Sequence, residues 1–585
     1  MVTPNDRITD HLNFLYGAER TPAILERLRA IMARFQQRNP TLRNHSTGER
    51  VTEKDVILIT YGDQVSEPGV PPLQTLAEVL EEYVKGVVTG VHILPFFPYS
   101  SDDGFSVIDY NAVDPELGGW ADVERMGHNF RLMFDAVINH ISAHSDWFQE
   151  FLAGNSEFGD YFIIVQEGAD LSQVVRPRAL PLLTRVQTTH GERLVWTTFS
   201  TDQIDLNYST PDVLLEIVEI LLLYVEKGTE FIRLDAIAYL WKRIGSTCIH
   251  LEEAHRVVKL FRAVLDVVAP RVIIITETNV PHQENISYFG DGADEAQMVY
   301  QFPLPPLVLH AFHSGDALYL SNWAAGLVTP SDSATFFNFT ASHDGIGVRP
   351  VEGILSQSEV QSLVDHTLAH GGYVSYKANP DGTQSVYELN ISYFDALSNP
   401  DGSEPLDLQI RRFLASQAIM LSLAGTPGIY VHSLFGSRSH RAGAEQTGRH
   451  RSINREKFQR GQLERALADS SSLRHQVLYP YLGLIRTRAA HQAFHPNGPQ
   501  QVIFAHPALF VLLRTSPDGS ESLLCMHNVS DAEQSVSVNL VSLSLSHSGQ
   551  VRDLIAGGVF SVNGSGDLYL QLAPYQVLWL AAMAG

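Results

Sequence analysis

At 585 residues the chain is too long for one small core and calls for several domains or one elaborated barrel. Its 44% hydrophobic and 18% charged residues exclude a disordered chain. The 41 Lys and Arg against 65 Asp and Glu, a formal net charge of -24, argue against a nucleic-acid partner and mean that any anionic substrate needs a local cationic cluster.

Two cysteines, Cys248 and Cys525, lie far apart and outside any CxxC pattern, which leaves no disulfide framework and fits a reducing compartment. The first residues show no basic stretch leading into an apolar run. The longest apolar stretch, Val213 to Val225, is broken by Glu216 and Glu219. A cytoplasmic protein without a membrane partner is expected.

Residues 1–50 read as an N-terminal helical extension. Strand-like runs then follow at Val56 to Thr60, Val91 to Phe96, Leu132 to Ile138 and Phe231 to Leu234. They continue at Val272 to Thr276, Met298 to Phe302, Thr335 to Thr340 and Gly428 to His432. Helical patterns separate them, among them Leu73 to Lys85, Pro211 to Lys227, Leu251 to Val268 and Leu406 to Leu423. Eight strands alternating with helices predict an α/β fold, a (β/α)8 TIM barrel built from 51–140, 209–344 and 406–490. The long intervals 141–208 and 345–405 read as two loop-inserted subdomains at the catalytic face, and 491–585 alternates as a C-terminal antiparallel β domain.

Three of the runs lead to a carboxylate: Phe231 onward to Asp235, Ile273 onward to Glu277, and Thr335 onward to Asp344. Parallel barrel strands bring their C-terminal ends to one mouth, so the three acids should converge. A pair of carboxylates about 5–5.5 Å apart is the machinery of retaining glycoside chemistry. Each residue alone has a plainer reading. Asp235 could be only a partner of Arg233, His140 and His343 could be core histidines, and Phe105 could be packing. Their joint occurrence in one order favours chemistry.

Asp135-Ala-Val-Ile-Asn-His140, Arg233-Leu-Asp235, Glu277 and His343-Asp344 resemble the four short motifs of the α-amylase family of glycoside-active enzymes (family 13). Within it, Ser342 to Gly347, Ile249 to His255 and Arg451-Ser-Ile-Asn-Arg455 resemble the sucrose phosphorylase group. Closer still, Tyr99 to Tyr110, Arg176 to Thr184, Trp196 to Asn207 and Thr276 to His282 resemble glucosylglycerate phosphorylases.

The resemblance implies Asp235 as nucleophile, Glu277 as acid/base and Asp344 as the third acid, gripping ring hydroxyls. It implies a glucose site made by Asp102, Phe105, His140, Arg233, His343 and Arg451. On the acceptor side it implies Arg176 or Arg178, Tyr387 with Glu388 beside it, and Tyr239, the last with packing as an equal alternative. Glu388 stands where sucrose phosphorylases carry Gln, which counts against sucrose. The expected reaction is reversible phosphorolysis of 2-O-α-D-glucosylglycerate to α-D-glucose 1-phosphate and glycerate, with small-molecule α-glucoside and inorganic phosphate as partners. Sucrose phosphorolysis, glucosylglycerol phosphorolysis and a silent scaffold are the alternatives. No metal and no cofactor is implied, and the protein is expected as a monomer or homodimer.

Overall fold

The eight apolar runs pair edge to edge in a computed structural model of the protein, which describes residues 3–45, 48, 50–177, 180–379, 383–543, 545 and 549–583. They are β1 (Ile57–Thr60), β2 (Gly90–Ile93), β3 (Arg131–Ala136), β4 (Thr229–Leu234), β5 (Ile273–Thr276), β6 (Met298–Tyr300), β7 (Thr335–Asn338) and β8 (Thr426–Tyr430). Each pairs in parallel with its neighbours in sequence, and β8 returns to β1 to close the barrel. Closure leaves no sheet edge, and the strands' uniform burial explains why they read as apolar runs rather than alternations.

Several strands stop earlier than the apolar runs suggest. β3 ends at Ala136, because the chain then turns to pair His140–Ser142 antiparallel with Gln203–Asp205 above the barrel mouth. β7 ends at Asn338, so Asp344 is carried by the following loop. Asp235 and Glu277, by contrast, directly follow the last residues of β4 and β5.

Between β3 and β4 a three-stranded antiparallel sheet forms from Ile164–Val165, Leu183–Thr188 and Gly191–Trp196. Between β7 and β8 the hairpin Tyr373–Ala378 and Gln384–Asn390 takes up Ile346–Gly347 as a third strand. After the barrel, six antiparallel strands within 500–582 form a separate sheet.

The apolar helix Pro211–Glu226 is buried on most of its circumference, since its inner side meets β4 and its outer side meets the helix Thr21–Arg38. That accounts for its near-continuous apolar run without a membrane; no helix among the described residues is long and apolar enough to cross one.

The bottom of the barrel is held by Arg488. Its fully buried guanidinium donates to the carbonyls of Leu421, Glu53, Asp55, Gly425 and Phe494, which lie around the starts of β1 and β8. Arg488→Met keeps the apolar stem but leaves these carbonyls unmet. Stability should fall by about 3 kcal/mol or more, seen as a lower urea midpoint. A midpoint equal to the parent's would show that the guanidinium contributes no net stability.

Candidate active site

The ladder of the barrel extends one residue past β4 and β5 at the mouth. The Asp235 amide donates to the Ala136 carbonyl and the Glu277 amide to the Leu234 carbonyl, each at 3.1 Å, which fixes both carboxyl-bearing residues to the barrel rim. Ala236 then adopts a left-handed conformation with φ of 50°, unfavourable for a residue with a Cβ. This turn aims its N–H at Glu277, whose Oε2 accepts at 3.1 Å.

Arg233 joins the two acids from below. Its buried guanidinium touches Asp235 Oδ1 at 2.8 Å, stands 3.9 Å from Glu277 Oε2, and also pairs with Asp135, its register partner on β3. Asp135 is held on its other oxygen by His92 Nε2 at 2.7 Å. Burial pushes Asp135 up, but Arg233 and His92 bring it down to about 2, so it is a permanent anion against Arg233. Burial raises both Asp235 and Glu277; the charges of Asp135 and Asp344 add to the rise of Asp235, and those of Asp235 and Asp344 to the rise of Glu277. Arg233 opposes the rise, and it sits closer to Asp235. Glu277 is therefore the acid lifted to about 7, while the contacting guanidinium favours the ionised form of Asp235.

Asp344 faces them with the opposite electrostatics. Burial works against its charge, but Arg451 Nη1 at 2.5 Å, with Arg455 at 3.7 Å, holds it well below the usual carboxylate range. Burial takes His343 down to about 3, so the ring is neutral, and its Nδ1 has no hydrogen-bond partner. Phe105 stacks on that ring at 4.7 Å and 6°.

These groups bound a pocket of about 650 Å³. The structure brings Asp102, Phe105, His140, Tyr239, Tyr387 and Arg451 into its wall together with Asp235, Glu277, His343 and Asp344. Arg233 lies beneath it, and both ring nitrogens of His140 are already engaged, by the Phe105 carbonyl and the Asn139 amide. Glu388 does not reach the pocket wall. It is buried behind Arg451, which it meets through both oxygens at 2.9 and 3.1 Å, and it also accepts from the Gly345 amide. The Arg176 guanidinium turns to the Leu180 carbonyl of its own loop, leaving its neighbour Pro177 in the wall. Arg178 lies outside the described residues.

Four participants were given no role by the sequence reading. His92 and Asp135 complete the buried charge set, and a histidine amid the apolar run of β2 was the available signal. Lys242, seven residues after the nucleophile candidate, buries its ammonium between Asp205 and Asn139 Oδ1 and so ties the first insertion to the barrel beside His140. Arg455 bonds the His343 carbonyl and Asp103, pinning a turn in which Asp102 and Asp103 are both left-handed, with φ of 56° and 51°.

Comparison with known proteins agrees with this geometry. Residues 67–324 match the family described as "Alpha amylase, catalytic domain". The chain is 55% identical to a glucosylglycerate phosphorylase of Allomeiothermus silvanus over 92% of this chain and 95% of that one. It is 44% identical to the Escherichia coli glucosylglycerate phosphorylase over 98% and 99%, and 32% identical to an Agrobacterium vitis sucrose phosphorylase over 77% and 90%. The crystal structure of sucrose 6F-phosphate phosphorylase from Thermoanaerobacter thermosaccharolyticum superposes with a TM-score of 0.72 at 25% identity, covering 90% of this chain and 99% of that one. The chain belongs to the α-amylase family of glycoside-active enzymes and is a glycosyl-transferring enzyme. Within that family it groups with the glucosylglycerate phosphorylases, and the sucrose phosphorylases are more distant.

The electrostatics give a direct expectation. In protein labelled with 13C at glutamate side chains, the Glu277 carboxyl should titrate near pH 7, well above the exposed glutamates. Titration in the ordinary range near 4 would remove the burial and charge argument.

Proposed function

We propose that the protein is a retaining glycoside phosphorylase that converts 2-O-α-D-glucosylglycerate and phosphate to α-D-glucose 1-phosphate and glycerate, reversibly. The observation that carries the proposal is the single guanidinium of Arg233 set 2.8 Å from Asp235 and 3.9 Å from Glu277, whose carboxyl is lifted to about 7, in one pocket. In the first step an Asp235 oxygen attacks the anomeric carbon. The bond to the glycerate oxygen breaks, and Glu277 hands that oxygen its proton. A β-glucosyl ester on Asp235 results. In the second step an oxygen of hydrogen phosphate attacks the same carbon, Asp235 leaves as carboxylate, and Glu277 takes up the proton that the phosphate loses. Two inversions return the α configuration.

Asp344, anchored by Arg451, would accept hydrogen bonds from ring hydroxyls, and His343 Nδ1 is available to another. Phe105, Asp102 and His140 complete the glucose wall, while Tyr239 and Tyr387 stand on the acceptor side. Phosphate would need a cation there, for which Arg178 remains a candidate and Arg176, held by Leu180, a weaker one. The names of the most similar relatives favour glucosylglycerate over sucrose or glucosylglycerol, and the buried Glu388–Arg451 pair departs from the Gln of the sucrose enzymes. A sugar phosphate product fits a cytoplasmic enzyme, acting as a monomer or homodimer.

The decisive assay supplies 2-O-α-D-glucosylglycerate with and without phosphate and measures glucose 1-phosphate. Formation strictly dependent on phosphate is expected. Release of free glucose at the same rate in both conditions would make the protein a hydrolase.

Asp235→Asn should lower turnover by about 10³-fold or more with the fold unchanged, since the neutral amide cannot form the ester. Activity within tenfold of the parent would take Asp235 out of the nucleophile role.

Glu277 must carry its proton to release glycerate, so kcat/KM for the glucoside should fall as pH rises through about 7. Glu277→Gln should abolish that alkaline limb and slow the glucoside about 10²–10⁴-fold. Glucosyl fluoride, whose leaving group needs little help, should be spared in the first step. Equal losses with both donors would contradict the assignment.

A further inference from the structure

A second cleft, of about 950 Å³, shares Asp102, Phe199, Gln203 and Arg451 with the catalytic pocket. The two cavities carry different charge. Four carboxyls, Asp102, Asp235, Glu277 and Asp344, line the catalytic pocket against the single guanidinium of Arg451. The adjoining cleft is lined by Arg449, Arg451 and Arg455 against Asp102 and Glu388. Guanidinium groups outnumber carboxyls only in the lining of the second, and an anion is met there only by one that is not already paired.

The three arginines differ in what already holds them. Arg451 is taken by Asp344 and Glu388, and Arg455 by Asp103. Arg449 is exposed, and its guanidinium makes no hydrogen bond or ion pair among the described residues. Beside it, the His450 ring is stacked on Tyr373 at 4.8 Å and 5°, with Nδ1 3.5 Å from Ser375 Oγ, so the cleft wall next to Arg449 has a fixed orientation.

We propose that this cleft is a binding site for a small phosphate-class oxyanion, with the Arg449 guanidinium as its principal donor. A planar guanidinium presents two parallel N–H groups to such an anion. In a protein of net charge -24, an unpaired guanidinium here gives an anion a local cation beside a pocket lined by carboxyls. The cleft's use in catalysis rests on the phosphorylase reading: it holds phosphate next to the glucosyl-enzyme. Binding itself does not rest on that reading.

The test titrates inorganic phosphate into the full-length protein and follows 31P line broadening, for the parent, Arg449→Gln and Arg449→Lys. At low ionic strength Arg449→Gln should bind phosphate about tenfold more weakly, and Arg449→Lys should keep most of the affinity. In about 1 M sodium chloride, where the Debye length is about 3 Å, the difference should collapse. The same variant should raise KM for phosphate and leave kcat at saturating phosphate unchanged. Equal affinity of Arg449→Gln and parent at low salt overturns the site. Phosphate bound through Arg449 by a parent that forms no glucose 1-phosphate would leave the site standing and overturn the phosphorylase reading instead.

Discussion

The charge of Arg233 has no water to face, and the site is arranged around that fact. A guanidinium at the top of a barrel interior is tolerable only if carboxylates surround it, and Asp135, Asp235 and Glu277 do so. His92 fixes Asp135, so this anion cannot relax away. One cation shared unequally among three acids then sorts their protonation states. Asp135 is driven to about 2 and Glu277 lifted to about 7, while Asp235 keeps the closest contact with Arg233 among the pocket's own carboxyls. The proposed reaction needs a nucleophile and an acid that differ in charge at the same pH, and these two similar side chains would supply them.

The remaining buried charges repeat this logic outward from the barrel. Lys242 is enclosed by Asp205 and Asn139, and in being enclosed it ties the first insertion down beside His140. Arg451 is enclosed by Asp344 and Glu388, which brings the second insertion's hairpin to the pocket. Arg455 holds the strained Asp102–Asp103 turn, so the wall that carries Asp102 is set by a contact rather than by local preference. These three parts of the mouth are thereby fixed by the need to neutralise a charge, and pocket shape there follows from electrostatic pairing. The loop around Arg176 lacks such a tie, since its guanidinium meets only a backbone carbonyl.

How much of this was legible in the sequence depends on how local each signal is. The barrel strands were readable because apolar, β-branched runs recur with helices between them, and Asp235 and Glu277 because they directly follow such runs. Strand ends were not, because β3 stops where His140 must pair with Asp205, 65 residues away in sequence. Arg455 and Asp103 are 352 positions apart, and Arg488 and Glu53 are 435 apart, so no window of sequence contains either contact. No local signal marks Lys242, whose burial depends on Asp205 from the first insertion. Glu388 was seen as a departure beside Tyr387, but its role as Arg451's counter-charge needed the hairpin's position.

The central claim is that the Arg233-paired carboxylate of Asp235 carries the glucose between the two half-reactions. Mass spectrometry of the Glu277→Gln variant, incubated with α-glucosyl fluoride in the absence of phosphate and digested at low pH, tests it most directly. Without its base the variant should accumulate the ester, so the peptide spanning Thr229 to Ile237 should appear heavier by one hexosyl residue, with the label on Asp235 and lost on reduction of the ester. A hexosyl group mapped to another residue, or consumption of the fluoride with the enzyme remaining unlabelled under rapid quench, would contradict the account.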